Sequence, residues 1–330
     1  MKTYSFAYGS GTVELPLDEK NVIGELHGNA VAPLADIRAA LWASLDAPID
    51  SAPLCERAKA GDTVALVVSD MTRFWMRQDL VVPHLVDYLA ERCGVREEDI
   101  TIVIANGTHI GGDEQELRTL VTDAVYDRVK VKNHDCEAKD LVYLGTTPHG
   151  TPVSIDRTAA EADLVVCLGA VTHHVMAGFG GGRKSILPGI AGRETIMKNH
   201  NLALNPGIGS GSNPAVRSAN MNAANPVHAD MMEACAMAHP TFLLNVVVDD
   251  DQKIISAFAG NWRTAHQAAC DLVDAMYGVT IHERTPMVIA SAGGYPKDLN
   301  FYQTIKTLSN ALEVVADGGT LILVTKSEEG

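Results

Sequence analysis

A glycine-rich segment carries the side chains best suited to chemistry. Five glycines lie within residues 178–189, which also contain Arg183 and Lys184. Because glycine has no side chain, the backbone can approach a ligand closely there, and the lysine amine can project towards it. This arrangement favours a phosphate site or a covalently attached cofactor, with a merely flexible loop as the alternative. A standard P-loop is disfavoured, because Arg183 occupies the place of its second glycine.

Three histidines, His109, His174 and His200, lie at turns or loop edges. A histidine transfers protons near neutral pH and also binds nickel or zinc, so an acid-base role and a metal role are both open. Each histidine alone is more often structural, but together with a glycine-flanked lysine they indicate an active site. The neighbouring His173 competes with His174, and the sequence does not separate the two.

Two cations in turns are candidates for holding a carboxylate substrate. Arg73 follows a predicted strand, and Lys297 lies in a turn near the end of the chain. A carboxylate is well held by a bidentate arginine and a second cation. The alternative is that both are ordinary surface charges.

Two strand-turn-helix units place some of these residues. Residues 63–69 and 100–105 are β-branched, apolar runs typical of buried strands, and each is followed by a polar turn and an amphipathic helix. Asp113 is placed to cap the second of these helices. Ligands of a parallel sheet gather beyond the carboxyl ends of its strands, so the turns 70–73 and 106–109 should lie at a binding edge.

We therefore predict an α/β protein of two domains with mainly parallel sheets and an active site in the cleft between them. Residues 1–278 would form a domain that binds cofactor and nickel. Residues 279–330 would begin a smaller Rossmann-like domain. The chain stops just past a strand, so this second domain is expected to be truncated.

The composition excludes several classes of function. The chain has 330 residues, 46% of them apolar, and a formal charge of −15 from 26 basic and 41 acidic residues, with no basic run. This charge disfavours nucleic acid as a partner. The first residues do not resemble an export signal and the apolar runs are too short to cross a membrane, so we expect a soluble, cytoplasmic protein. The six cysteines form no Cys-x-x-Cys pair and are expected to be reduced.

Four blocks of residues, in this order along the chain, resemble the nickel-dependent lactate racemase family. They are Asp-Met-Thr-Arg (70–73), Gly-Thr-His (107–109), the segment from His174 through Gly-Gly-Arg-Lys to His200, and Gly-Gly-Tyr-Pro-Lys-Asp (293–298). The resemblance implies a racemase or epimerase of a small 2-hydroxy acid. It also implies a nickel-pincer cofactor, the nickel complex of pyridinium-3,5-bisthiocarboxylic acid mononucleotide, and cofactor-synthesis enzymes as partners.

The resemblance also assigns roles to individual residues. Lys184 would bond covalently to the cofactor, and His200 would bind the nickel ion. His109 and His174 would be the paired acid-base groups. The further predicted cofactor contacts are Asp70, Thr72, Gly181, Gly182 and Arg183.

The chemistry of racemisation agrees with these roles. Removing the C2 proton of a 2-hydroxy acid would create a carbanion beside a carboxylate, whereas removing hydride leaves a stable 2-keto acid. One histidine would take the hydroxyl proton of one enantiomer, or hand, of the substrate, and the other histidine would serve the opposite hand. Arg73 and Lys297 would hold the carboxylate as C2 reorients. Two other hypotheses stay open: a zinc or nickel hydrolase with the three histidines as ligands, and a non-catalytic carrier of the cofactor.

Overall fold

The alternating polar and apolar residues at the start of the chain form an antiparallel hairpin in the computed structural model, which describes residues 1–295 and 297–330. Strand β1 (Lys2–Tyr8) pairs with β2 (Gly11–Leu17) along its whole length. The described residues group into two compact units, residues 1–29 with 277–330, and residues 30–276. The hairpin thus belongs to the unit that contains the end of the chain.

The larger unit is built around one mainly parallel sheet. The strands of this unit are β3 (Val64–Ser69), β4 (Ile100–Ala105), β5 (Lys130–Asn133), β6 (Val142–Thr146), β7 (Pro152–Ile155), β8 (Leu164–Ala170), β9 (His173–His174), β10 (Gly178–Phe179), β11 (Phe242–Val248) and β12 (Ile254–Gly260). Six of them form the central sheet in the order β12-β11-β8-β3-β4-β5, where only β12 is antiparallel to its neighbour. The predicted mixed α/β fold with a mainly parallel sheet is confirmed.

Helices cover this sheet. They are α1 (Ile37–Asp46), α2 (Leu54–Arg57), α3 (Val82–Glu91), α4 (Glu114–Val121), α5 (Asp123–Tyr126), α6 (Arg157–Glu161), α7 (Arg193–Asn201), α8 (Pro226–Ala238) and α9 (Thr264–Tyr277). The predicted cap of α4 is confirmed, because the Asp113 carboxylate accepts a hydrogen bond from the Glu116 backbone amide at 2.9 Å. This bond satisfies one of the amides that a helix leaves unpaired at its start.

The apolar run of β3 is continuous because both of its faces are buried. Val64, Leu66 and Val68 pack into a core cluster on one face of the sheet, and Ala65 and Val67 pack into a second cluster on the other. Each fully buried valine or leucine contributes roughly 1.5–3 kcal/mol relative to exposure. The two clusters hold β3 and β4 rigidly and thus fix the turns that follow them.

The smaller unit contains a second two-stranded sheet, which is formed by residues near the end of the chain. Strand β13 (Thr285–Ser291) pairs in parallel with β14 (Val315–Val324), and α10 (Phe301–Ala311) connects them. The Ser291 hydroxyl donates to the Ala7 carbonyl at 2.6 Å, and the Gly9 amide donates to Asp298 Oδ2 at 2.7 Å. These bonds explain why residues 1–29 group with residues 277–330, whereas the sequence analysis assigned them to the domain 1–278.

Two further features bear on the predicted class. No helix of the described residues is long and apolar enough to cross a membrane. All six cysteines are free thiols, as expected from their spacing.

Candidate functional site

The two predicted turns meet at the carboxyl edge of the central sheet. Ser69 at the end of β3 lies opposite Ala105 at the end of β4, so the turns begin at the same level. His109 Nδ1 lies 2.6 Å from Asp70 Oδ2. Because a carboxylate only accepts hydrogen bonds, Nδ1 carries the hydrogen, and Nε2 of the neutral ring keeps its lone pair.

The carboxylate that orients His109 is itself held in place. Asp70 is buried, and its second oxygen, Oδ1, accepts a hydrogen bond from the Thr72 hydroxyl at 2.7 Å. Arg73 Nη1 donates to the same hydroxyl oxygen at 2.8 Å. Arg73, Thr72, Asp70 and His109 therefore form one continuous chain of hydrogen bonds, and the arginine brings a positive charge to the predicted substrate end.

A short hairpin separates the roles of the two adjacent histidines. His173 lies opposite Phe179 and His174 opposite Gly178 in the pairing of β9 with β10. His173 Nε2 lies 2.8 Å from Asp274 Oδ1, and its ring packs on Phe179 with the centroids 5.0 Å apart. Successive side chains of a strand point to opposite faces, so His174 faces away from this structural contact. Of the two, His174 is the better candidate for chemistry.

His174 is fixed by the hairpin in which it lies. Its Nδ1 accepts hydrogen bonds from the backbone amides of Met176 and Ala177, both at 3.2 Å. Nδ1 is therefore an acceptor, and in the neutral ring the hydrogen is on Nε2. This is the reverse of the arrangement at His109.

The glycines of the predicted loop are required by packing within the protein. Gly182 has a φ of +56°, and a Cβ there would lie 2.5 Å from the His266 ring. Gly181 has a φ of +67°, and a Cβ there would lie 2.9 Å from the Ala170 carbonyl oxygen. The Gly182 amide donates to Asn245 Oδ1 at 3.0 Å, which ties the loop to β11. A side chain at either glycine would move the loop that carries Lys184.

Lys184 lies half-buried in the 3₁₀ turn Gly182–Ser185. Burial lowers its pKa to about 7, and the charges of Arg183 and Arg73 act in the same direction. Within the described part of the chain, its amine has no hydrogen bond or ion pair. A substantial fraction of the amine is therefore neutral near pH 7, and a neutral amine can act as a nucleophile, as the predicted covalent role requires.

The side chain of Arg183 faces the interior of the protein. It is completely buried, and its guanidinium donates to the Phe179 carbonyl at 3.0 Å and to the Ala177 carbonyl. Burial lowers its pKa to about 10. The predicted contact with a cofactor finds no support in this placement, because the side chain closes the loop onto its own backbone.

His200, the predicted metal ligand, lies on α7, and one hydrogen bond defines its tautomer. Its Nδ1 donates to the Ile196 carbonyl at 3.0 Å, which leaves the lone pair of Nε2 for a metal ion. Burial lowers its pKa, and the charge of Lys184 adds to this effect, so the ring stays neutral and able to bind metal. The next residue back, Asn199, donates to Asp230 Oδ2 at 2.9 Å and thereby ties α7 to α8.

Lys297 belongs to the smaller unit, where it is exposed. Its role as the second cation stays a prediction. Its neighbour Pro296, part of the fourth block, lies outside the described residues.

Sequence reasoning missed the buried residues that hold the elements of the site in place. His266 and Asn245 pack against the glycine-rich loop, and the buried Asp230 accepts from the hydroxyls of Thr147 and Thr151. Among the described residues, Asp230 also forms a possible cation cluster with His149 and Glu233. Since the carboxylate oxygens of Asp230 already accept hydrogen bonds, we interpret it as a structural link. No motif marks such residues, because their partners are distant in sequence.

His266, the buried histidine that packs against the glycine-rich loop, makes the free energy of unfolding depend on pH. Burial lowers the pKa of His266 to about 3, whereas an unfolded histidine titrates near 6.5. Below pH 6.5 the unfolded chain binds a proton that the folded chain excludes, so stability is complete above that pH and falls towards pH 3. We expect His266 to remove roughly 2 kcal/mol of unfolding free energy between pH 6.5 and pH 5.

Urea unfolding at a series of pH values measures this effect. His266→Gln should flatten the dependence, while the exposed His282→Gln should leave it unchanged. An equally steep dependence in His266→Gln would show that another group is responsible.

Comparison with known proteins gives a consistent match. The family model described as lactate racemase N-terminal domain matches residues 8–211, and the lactate racemase C-terminal domain matches residues 281–330. Lactate racemase of Lactiplantibacillus plantarum is 33% identical over 334 residues, which covers 100% of this chain and 76% of that protein. Lactate racemase of Thermoanaerobacterium thermosaccharolyticum is 31% identical, with the same coverage.

Solved structures agree with the sequence matches. The lactate racemase apoprotein from Thermoanaerobacterium thermosaccharolyticum superposes with a TM-score of 0.90 at 30% identity, covering 100% of this chain and 75% of that one. A Thermotoga maritima protein superposes with a TM-score of 0.64 at 21% identity, covering 89% and 72% of the two chains. The second likeness concerns the fold alone.

Proposed function

Because this chain belongs to the lactate racemase family, we propose that it interconverts the two hands of lactate or a closely related 2-hydroxy acid by reversible hydride transfer. The observation that carries the proposal is Lys184, a half-buried amine without a partner in the described chain, in the loop that precedes a histidine with an available Nε2. An ordinary structural lysine would be paired with a carboxylate or exposed to water.

The residues present fit a covalently held nickel cofactor. Lys184 offers the neutral amine that a covalent link requires, and His200 offers one neutral imidazole nitrogen of the kind that nickel prefers. The positive charge of Arg73 near Lys184 also suits an anionic group such as a phosphate. When bound, the nickel-pincer group supplies an acceptor and donor for the hydride of C2.

The chain's own residues would handle the proton and the carboxylate. His109 presents a basic Nε2, supported by Asp70, to take the hydroxyl proton of the substrate. Arg73 would bind the carboxylate and so leave C2 to reorient, with Lys297 as the proposed second cation. His174 would act on the opposite hand.

Isotope labelling tests both the activity and the route. The protein is co-produced with cofactor-synthesis enzymes, which we propose as its partners, and is given L-lactate carrying deuterium at C2 in ordinary water. Hydride transfer returns the same hydrogen to C2, so the D-lactate formed should keep most of its deuterium. Racemisation with complete loss of the label would replace hydride transfer by proton abstraction, and no racemisation of any 2-hydroxy acid would overturn the function.

The two alternative functions have less support. A three-histidine hydrolase needs His109, His174 and His200 to converge on one ion. In the part of the chain that the structure describes, the residues that could share a metal ion are instead His149, Asp230 and Glu233. A non-catalytic carrier would not need a carboxylate-supported histidine such as His109.

A further inference from the structure

We propose that the two catalytic histidines rest in opposite tautomers, so that His109 alone presents a basic Nε2 while His174 presents an Nε2–H donor. This inference rests on the proposed function and refines the roles of its two acid-base groups. The hydroxyl of one enantiomer would meet the basic Nε2 of His109, and the hydroxyl of the other would meet the Nε2–H donor of His174.

The first half of the inference comes from Asp70. Its Oδ2 lies 2.6 Å from His109 Nδ1, and its Oδ1 is occupied by the Thr72 hydroxyl at 2.7 Å. The hydroxyl hydrogen of Thr72 is thereby used on Asp70, which keeps the carboxylate turned towards the imidazole. A carboxylate at Nδ1 fixes the hydrogen there, and so fixes the lone pair on Nε2.

The second half comes from the hairpin that holds His174. Two backbone amides, from Met176 and Ala177, point at its Nδ1. An amide cannot become an acceptor, so a hydrogen on Nδ1 would face two N–H groups and lose both bonds. The hydrogen of the neutral ring is therefore held on Nε2.

Arg183 makes this second arrangement rigid. Its buried guanidinium binds the carbonyls of Ala177 and Phe179, while the amide of Ala177 binds His174. The His266 ring in turn lies against the same loop, with Nε2 2.8 Å from the Gly180 carbonyl. The hairpin cannot turn its amides away from His174 without breaking bonds to a buried charge.

The arrangement has a consequence for the reaction. When the hydroxyl of one hand faces His109, its proton can pass directly to Nε2. When the hydroxyl of the other enantiomer faces His174, the ring must first change its tautomer. Nε2 releases its proton to solvent water and Nδ1 takes one from solvent water, and both amide hydrogen bonds are lost. Because the two hands are equal in free energy, kcat/KM must be the same for both, and the asymmetry appears as unequal kcat with a proportional change in KM.

Long-range proton–nitrogen NMR of the protein without cofactor measures the tautomers directly. Spectra of His109→Gln and His174→Gln identify the two rings by the loss of their signals. We expect His109 to show a protonated Nδ1 and an unprotonated Nε2, and His174 to show the reverse. The same tautomer in both rings would overturn the inference.

Asp70→Asn provides the matched variant. Its amide can accept from or donate to Nδ1, so the His109 signals should shift towards a mixture of tautomers while those of His174 stay in place. A shift of both rings, or of neither, would contradict separate control of the two tautomers. Since the spectra need no cofactor or substrate, opposite tautomers in a protein that fails the isotope experiment would overturn the proposed function and leave this assignment standing.

Discussion

Lys184→Ala is expected to leave a folded protein that carries no covalently bound cofactor and has no racemase activity above background. The proposed link forms at the Lys184 amine, whose pKa is lowered to about 7 by burial and by the neighbouring arginines. Within the described residues this amine has no partner to lose, so its removal should not destabilise the fold. Intact mass spectrometry with nickel analysis, on protein co-produced with the cofactor-synthesis enzymes, measures the adduct.

Two controls sharpen this experiment. Lys184→Arg keeps a positive charge but offers no reactive amine at neutral pH, because arginine does not deprotonate in proteins, and it should also lack the adduct. Lys198→Ala removes an exposed lysine from α7, beside the proposed nickel ligand, and should retain both adduct and activity. An adduct of unchanged mass in Lys184→Ala would place the covalent link elsewhere.

The sequence was sufficient for the two strands that carry the predicted turns, because the signals of these strands are local. The apolar runs predicted at 63–69 and 100–105 form β3 and β4 at almost the same residues, and both faces of β3 are buried as its continuous apolar character indicates. Turns that follow neighbouring parallel strands must share an edge. The proximity of Asp70 and His109 therefore follows from the order of elements without any knowledge of the packing.

The same reasoning could not predict contacts that depend on distant partners. The hairpin β1-β2 joins a unit whose other strands lie more than 250 residues away, and its alternation reveals a two-faced strand but not the partner. Arg183 was grouped with the cofactor contacts, yet it is buried against the loop carbonyls and His266. A charged residue in a glycine-rich segment carries no local signal of burial.

His173 and His174 illustrate a third limit. Their residue type is identical and their positions are adjacent, so composition and spacing do not distinguish them. The pairing of β9 with β10 does, because it turns His173 towards Asp274 and leaves His174 capped by two amides. The surroundings of each histidine are set here by a two-residue strand that no periodicity would reveal.

His109→Gln should lower kcat/KM by roughly 100- to 10,000-fold, the usual contribution of a general base. Glutamine keeps the approximate size of the side chain but cannot accept the hydroxyl proton. Because the equilibrium between the two hands has a constant of one, the loss must be equal for both hands, although kcat and KM separately need not change alike. Chiral chromatography of reactions started from each pure hand measures both values.

Asp70→Asn should act through the same histidine and lower kcat/KM by at least about 100-fold, because His109 then loses the carboxylate that fixes its tautomer and stabilises its charged form. Thr72→Val removes only one hydrogen bond to that carboxylate and should cost much less, on the order of 10-fold, since such a bond contributes roughly 1.5 kcal/mol. Asp79→Asn, at a carboxylate paired with Arg77 in the same stretch of chain, should have almost no effect. Activity within threefold of wild type in Asp70→Asn would contradict the proposed pairing of Asp70 with His109. It would show that His109 does not depend on the carboxylate for its basic Nε2.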